Sequence, residues 1–286
     1  MKPIAFKIPI TNKELLRFQI DDESYLYDKL HLHPELQIGL ILKSEGTVIA
    51  GDYIGRFVPG DIFVIGSNLP HVFKNDSKYF QDRKDLRVYA FTIYPNEKLL
   101  NEGLLSYKET ASLKKILQDA TKGMKVEGET KKSITEKIWK LKRSTGMNRL
   151  MMLLEILKTL SESKEIKILN KHLSPISYSE KEGKRMIDIF QFTFEQSHRA
   201  ISVDEVAAIA NMSIPSFCRY FKLHTRKTYI EFLNEIRINN AYMLLQQEDS
   251  GIADVCYRVG FNNLSNFNRI FKKITGHTPR EFKNAT

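Results

Sequence analysis

Between residues 36 and 94 the apolar positions come in short runs, 36–42, 47–50, 61–65 and 86–94. Ser44-Glu45-Gly46, Ala50-Gly51-Asp52 and Pro59-Gly60-Asp61 separate them. Short runs rich in β-branched and aromatic residues, closed by turn formers, predict an all-β sandwich or small barrel. After Pro95 the apolar residues fall three and four apart, which predicts helices over 112–120 and 134–161. In the second of these, Met147, Leu150, Met151, Leu154, Leu157 and Leu160 form one stripe. Such a stripe serves either as intramolecular core or as a dimer seam. Residues 171–183, with Ser174-Pro175 and charged flanks, read as a linker, and everything after them reads as helix. The pattern is therefore α+β, with boundaries at 1–97, 98–170, 171–183 and 184–286.

The helical C-terminal part contains a repeat. At an offset of 50 residues, 214–232 aligns without gaps on 264–282, and eight of the nineteen positions are identical. They pair Phe217 with Phe267, Arg219 with Arg269, Phe221 with Phe271, Lys222 with Lys272, Thr225 with Thr275, Thr228 with Thr278, Glu231 with Glu281 and Phe232 with Phe282. One supersecondary unit is present twice.

Local chemistry identifies the unit. Ser202 followed by Glu205 has the spacing of a capping box. The helix it opens carries Val206, Ala207, Ile209 and Ala210, small enough for a second helix to approach closely. Asn211-Met212 makes a short turn in which asparagine tolerates a left-handed conformation, and Ser213 is placed to cap the next helix. Pro215 is acceptable there, because first-turn amides lack intrahelical partners. At about 100° per residue, Ile214, Phe217, Tyr220 and Phe221 face inward, while Pro215, Cys218, Arg219 and Lys222 face outward. In the second copy Val255, Cys256 and Val259 face inward, Gly260 turns the chain, and Leu264, Phe267, Ile270 and Phe271 bury the next helix. Its outer face is Ser265, Asn268, Arg269 and Lys272. A hydrogen-bonding, basic face on a helix braced by another suits the major groove of double-stranded DNA.

Charge adds to this picture without deciding it. The 286 residues carry a formal charge of +10, distributed as −1 over 1–97, +9 over 98–185 and +2 over 186–286. A basic excess suits a polyanion partner, although a solvated lysine-rich helical face has the same composition. With 42% apolar and 27% charged residues the chain reads as a globular protein. The residues from Met1 to Ile10 lack the pattern of a secretory signal, and no apolar run approaches the ~20 residues of a bilayer span. A cytoplasmic location without a membrane partner is expected. Cys218 and Cys256 both fall in helical patterns, which argues against a disulfide framework or a paired-cysteine zinc site.

The run from Ile201 to Phe221 carries a resemblance, as do Arg237, Ala241 and Leu244-Leu245, and Val259-Gly260-Phe261 followed by Phe267, Arg269, Phe271, Lys272, Gly276, Thr278, Pro279 and Phe282. Over residues 183–283 the chain resembles the AraC/XylS DNA-binding domain. The resemblance implies a long helix over 229–247 that spaces two recognition helices for adjacent major-groove segments. It also implies a homodimeric, ligand-responsive regulator, an activator in sign, with RNA polymerase as a further partner. Where the family has a glycine ending the first recognition helix, this chain has Arg226, which implies a distorted end or an extra phosphate contact.

More loosely, residues 18–94 resemble the cupin-like sensor barrel that precedes such domains, through His31-Leu32-His33-Pro34-Glu35, Pro59-Gly60-Asp61 and Asn68-Leu69-Pro70-His71. Metal-binding cupins use a His-x-His pair, a downstream glutamate and a later histidine. His31, His33 and His71 fit, but Gln37 stands at the position of the glutamate, and an amide is a poorer ligand than a carboxylate. Strand alternation would put Glu35 on the same face. The expectation is an effector pocket lined by His31, His33, Glu35, Gln37 and His71, binding a small molecule, with no metal, cofactor or catalytic residue assigned. The alternatives are a metal-dependent cupin enzyme with a DNA-binding tail and a constitutive architectural DNA binder.

Overall fold

A computed structural model describes residues 14–81, 85–96, 105, 107–170, 180–225, 227–247 and 250–284. The chain divides between Pro175 and Ile176 into two compact units.

The N-terminal unit is built on two antiparallel sheets. The larger takes β1 (Leu16–Glu23), β2 (Gln37–Lys43), β5 (Ile62–Ile65), β7 (Val88–Pro95), β8 (Met124–Val126) and β9 (Ile166–Ile168) in the order β1-β7-β2-β5-β8-β9. The smaller takes β3 (Gly46–Ala50), β4 (Tyr53–Phe57) and β6 (His71–Asn75) in the order β4-β3-β6. Among the described residues two separate sheets stand in place of the closed barrel that the resemblance implied. The turns at 44–46, 50–52 and 59–61 all fall between strands.

Strand alternation sorts the core into two layers. From the larger sheet Ile38, Leu40, Ile62, Val64, Phe91 and Ile93 pack against helices α1 (Ala111–Ala120), α2 (Gly128–Arg143) and α3 (Gly146–Glu162). Their neighbours Ile41, Phe63, Ile65, Val88 and Ala90 pack against Val48, Ala50, Phe57 and Phe73 of the smaller sheet. The result is three layers: helices, six strands, three strands. Among the described residues of 98–170, β8 and β9 extend the larger sheet and α1, α2 and α3 cover it. The helix predicted over 134–161 is two helices, parted at Ser144 and Thr145 before Gly146 at φ 53°.

The stripe on α3 divides in the same way. Leu157 and Leu160 lie in the core. Met147 and Met151 are 70% and 51% exposed, with Leu150 and Leu154 half-buried between.

The C-terminal unit is all helix: α4 (Glu180–Gln196), α5 (Val203–Ile209), α6 (Ile214–Thr225), α7 (Tyr229–Gln247), α8 (Ile252–Arg258), α9 (Leu264–Thr275) and α10 (Pro279–Asn284). Residues 180–183, read from the sequence as linker, begin α4; residues 171–179 lie outside the described part. On one side of α7 an aromatic cluster joins Phe190, Phe217, Phe221, Tyr229 and Phe232, with Phe190 and Phe232 stacked at 4.6 Å. On the other, Ile238, Ala241 and Leu245 pack with Val255, Cys256, Val259, Phe267 and Phe271. No helix among the described residues is long and apolar enough to cross a membrane.

Candidate functional site

The repeat resolves into two kinds of identical pair. Phe217 and Phe267 are buried, as are Phe221 and Phe271, and Phe232 and Phe282 close the two cores. Thr225 ends α6 with its hydroxyl 2.8 Å from the Phe221 carbonyl and 3.1 Å from that of Lys227; Thr275 ends α9 at 2.9 and 3.0 Å from the carbonyls of Phe271 and His277. The threonine and glutamate pairs form full capping boxes. The Thr228 amide donates to Glu231 at 2.8 Å and the Glu231 amide returns to the Thr228 hydroxyl; Thr278 and Glu281 do the same at 2.7 and 3.2 Å. These bonds hold the glutamate carboxyls below the usual range, although both side chains are exposed.

The remaining two pairs, Arg219 with Arg269 and Lys222 with Lys272, touch neither core and are exposed. Around them Pro215, Cys218, Ser265 and Asn268 are exposed too, so all eight residues placed on the outer faces lie there. Ile214, assigned inward, is 40% exposed at the first position of α6.

α6 and α9 each follow a shorter helix and a turn. Ser202 caps α5 by accepting from the Glu205 amide at 3.2 Å, but the Glu205 carboxylate pairs with Arg199 instead of returning to Ser202, so the capping box is half made. Asn211 takes the expected left-handed turn at φ 52°. The Ser213 hydroxyl reaches the Ser216 hydroxyl at 3.0 Å rather than a backbone amide. In the second copy Asn263 caps α9 through the Asn266 amide at 2.9 Å, and Gly276 ends it at φ 85°. Asn266 then accepts from Arg269 Nη2 at 2.8 Å. Sequence reasoning missed this contact; its only signal is the replacement of Ser216 by asparagine at the matching position. Arg226 lies outside the described residues.

In the N-terminal unit the histidines converge. His31 and His71 form an antiparallel bridge, His71 lies on β6 and Gln37 opens β2. Pro34 and Glu35 make a bend outside any strand, so the alternation argument fails for Glu35. His33, Gln37 and His71 are buried and His31 is half-buried, with ring centroids 4.3 Å apart for His31 and His71 and 5.0 Å for His33 and His71. Each Nδ1 faces a backbone carbonyl: His31 that of Lys29 at 2.9 Å, His33 that of Glu35 at 3.0 Å, His71 that of Leu69 at 2.8 Å. Burial lowers all three imidazoles, His31 to about 4, and the neighbouring rings push His71 further. Glu35 sits behind His33, its carboxylate 3.5 Å from Nδ1 and away from the shared centre.

A helix-turn-helix domain family matches residues 206–285. Among relatives, the chain is 23% identical over 258 residues to the uncharacterized HTH-type transcriptional regulator YdeC of Bacillus subtilis (strain 168), covering 90% of this chain and 86% of that protein. It is 25% identical over 119 residues to the HTH-type transcriptional activator RhaS of Enterobacter sp. (strain 638), covering 42% of this chain and 43% of that one. The crystal structure of the DNA-binding domain of AdpA in complex with a target DNA is 26% identical, with a TM-score of 0.34, over 35% of this chain and 91% of that one. The chain is a DNA-binding transcription regulator, and residues 206–285 of its C-terminal unit match a helix-turn-helix domain.

Proposed function

We propose that this regulator reads DNA with α6 and α9 in adjacent major-groove segments, and that a ligand held in the N-terminal unit controls it. One observation carries the reading. Of the eight identical pairs, six build cores and caps, and the two that do neither are an arginine and a lysine at matching exposed positions of both recognition helices. Folding does not require that identity; contact with the same polymer by both helices does. Arg219 and Arg269 read base edges, with Pro215, Cys218, Ser265 and Asn268 beside them, and Lys222 and Lys272 meet phosphate.

The N-terminal unit acts as the sensor, cupin-like in its histidine pattern though open as a sheet. His31, His33, Gln37 and His71 provide a buried polar centre, and Glu35 serves it from behind His33. Two copies pair through the exposed Met147 and Met151 on α3. We read the chain as an activator that meets RNA polymerase, without catalysis of its own. Selection of bound fragments from a random DNA pool by the full chain tests the DNA reading. The expected product is a motif with two conserved blocks about one helical turn apart; recovery of one block or none overturns it.

A further inference from the structure

We propose that the two recognition helices read different chemistry, and that α6 selects thymine through an apolar face made by Ile214, Pro215 and Cys218. The inference deepens the DNA reading above and rests on it.

The identical pairs fix how the two helices compare. With Arg219 matched to Arg269 and Lys222 to Lys272, positions 214, 215 and 218 of α6 correspond to 264, 265 and 268 of α9. On α9 these are Leu264, Ser265 and Asn268. Leu264 is half-buried and packs against the core that holds Val255 and Phe267, so the exposed pair is a hydroxyl and an amide. On α6 they are Ile214, Pro215 and Cys218, and all three are exposed, Ile214 at 40%. Their side chains offer no hydrogen-bonding group beyond a weak thiol. On a helix turning about 100° per residue, Ile214 and Pro215 fall on either side of Cys218, within about 60° of it.

What such a face binds follows from its surroundings. Folding does not account for it, because Phe217, Tyr220 and Phe221 already bury the inner side of α6. Arg219 and Lys222 are exposed beside it, so its partner combines an apolar group with negative charge. The major groove offers that combination: the C5 methyl of thymine is the apolar group on its base edges, and phosphates line it. The N-terminal residues of a recognition helix are those that reach base edges, and Ile214, Pro215 and Cys218 open α6. Withdrawing a methyl from water there favours thymine over cytosine, which has none. Asn268, at the place of Cys218, can instead donate to N7 and accept from N6 of one adenine. The two halves of the bound site therefore differ in kind, one read through methyl groups and one through hydrogen bonds.

The DNA fragment selected by the full chain is remade with each thymine replaced in turn by deoxyuridine, which removes only the C5 methyl. A second set replaces each adenine by 7-deazaadenine, which removes the N7 acceptor. Wild-type chain should lose about fourfold in affinity for each contacted thymine of one block, the worth of one methyl group withdrawn from water. Thymines of the other block should show no loss, and the 7-deazaadenine effect should fall there. Ile214→Ser combined with Cys218→Ser, at unchanged far-UV circular dichroism, should abolish the uracil effect. Asn268→Ala should abolish the 7-deazaadenine effect and leave the uracil effect in place. The base replacements need no protein variant, so they decide even if the double variant does not fold. Uracil that is neutral in both blocks, costs the same in both, or costs the folded double variant as much as wild type overturns the inference while the two-block motif stands. Absence of a two-block motif removes both readings, and it is seen before any base is replaced.

Discussion

Gly260 packs against the Ser197 carbonyl that Arg237 binds. A Cβ on Gly260 would lie 2.4 Å from the Ser197 oxygen and 2.9 Å from Arg237 Nε, while Arg237 Nε donates to that oxygen at 2.9 Å. The turn of the second helix-turn-helix unit thereby closes directly on the loop between α4 and α5, with the guanidinium also donating to the Arg199 carbonyl at 2.7 Å and lying over the Phe261 ring. Gly260→Ala should cost about 2–5 kcal/mol, from the left-handed φ of 95° together with the overlap. Urea denaturation followed by far-UV circular dichroism checks it. An unchanged midpoint for the helical transition would show that the loop yields freely.

Asn170 plays a similar part in the N-terminal unit. Its Oδ1 accepts from the amides of Asp52 and Tyr53 at 2.9 and 3.0 Å, and its Nδ2 donates to the carbonyls of Ala50 and Lys122. One buried side chain thus satisfies four backbone groups and ties the β3–β4 hairpin to the segment before β8. Asn170→Ala should cost about 2–4 kcal/mol, because buried groups lose their partners. Trp139, the single tryptophan, packs on Phe91 in this unit and reports its unfolding by fluorescence. A shift below 1 kcal/mol would mean that water replaces the amide.

For pairing of two copies, the structure changes which residues to test. Leu157 and Leu160 belong to the core, so polar substitutions there unfold the chain and say nothing about association. Met147→Lys with Met151→Lys removes exposed apolar surface and leaves the core intact. The expected outcome is a folded monomer by sedimentation, from a wild type that sediments as a dimer. A monomeric wild type ends the proposal.

How far the sequence foretold this structure depended on how local each signal was. The helix-turn-helix units were legible because caps, turns and core positions sit within a few residues of one another and occur twice. The strands over 37–43 and 88–95 were legible as long apolar runs. β8 and β9 were not, since three-residue strands carry no period; β8 forms on the edge that β5 offers, and β9 on the edge that β8 offers in turn. The break at Gly146 was hidden because apolar residues keep three- and four-residue spacing on both sides of it, and the stripe that follows it divides between core and surface in space. At the histidine cluster the residues were found, but their arrangement was not. It follows from the bend at 34–35 and the bridge from His31 to His71, neither of which alternation describes.

The last prediction separates arginine from lysine on the recognition helices. Arg269 donates to Asn266 Oδ1 at 2.8 Å, and the Asn266 backbone amide donates to the Asn263 cap, so one side-chain contact on α9 orients the guanidinium. An arginine so placed can give two donors to the acceptors of one guanine, and Arg269→Ala should cost about 1–3 kcal/mol mainly at one base pair. Lys272 lies one turn further along α9, toward the Gly276 cap, where a point charge meets phosphate. Lys272→Ala should weaken all sequences alike and reduce the salt slope by about one unit. Asn266→Ala removes the support while sparing the contact, so it should relax the same base pair as Arg269→Ala by a smaller factor. At the matching position of α6, Ser216 pairs with Ser213 instead, so Ser216→Ala should leave base preference unchanged. Competition binding of the four variants against single-base operator variants, at several salt concentrations, distinguishes these effects. Uniform loss for Arg269→Ala, or base-specific loss for Lys272→Ala, would reverse the roles assigned to the two residues.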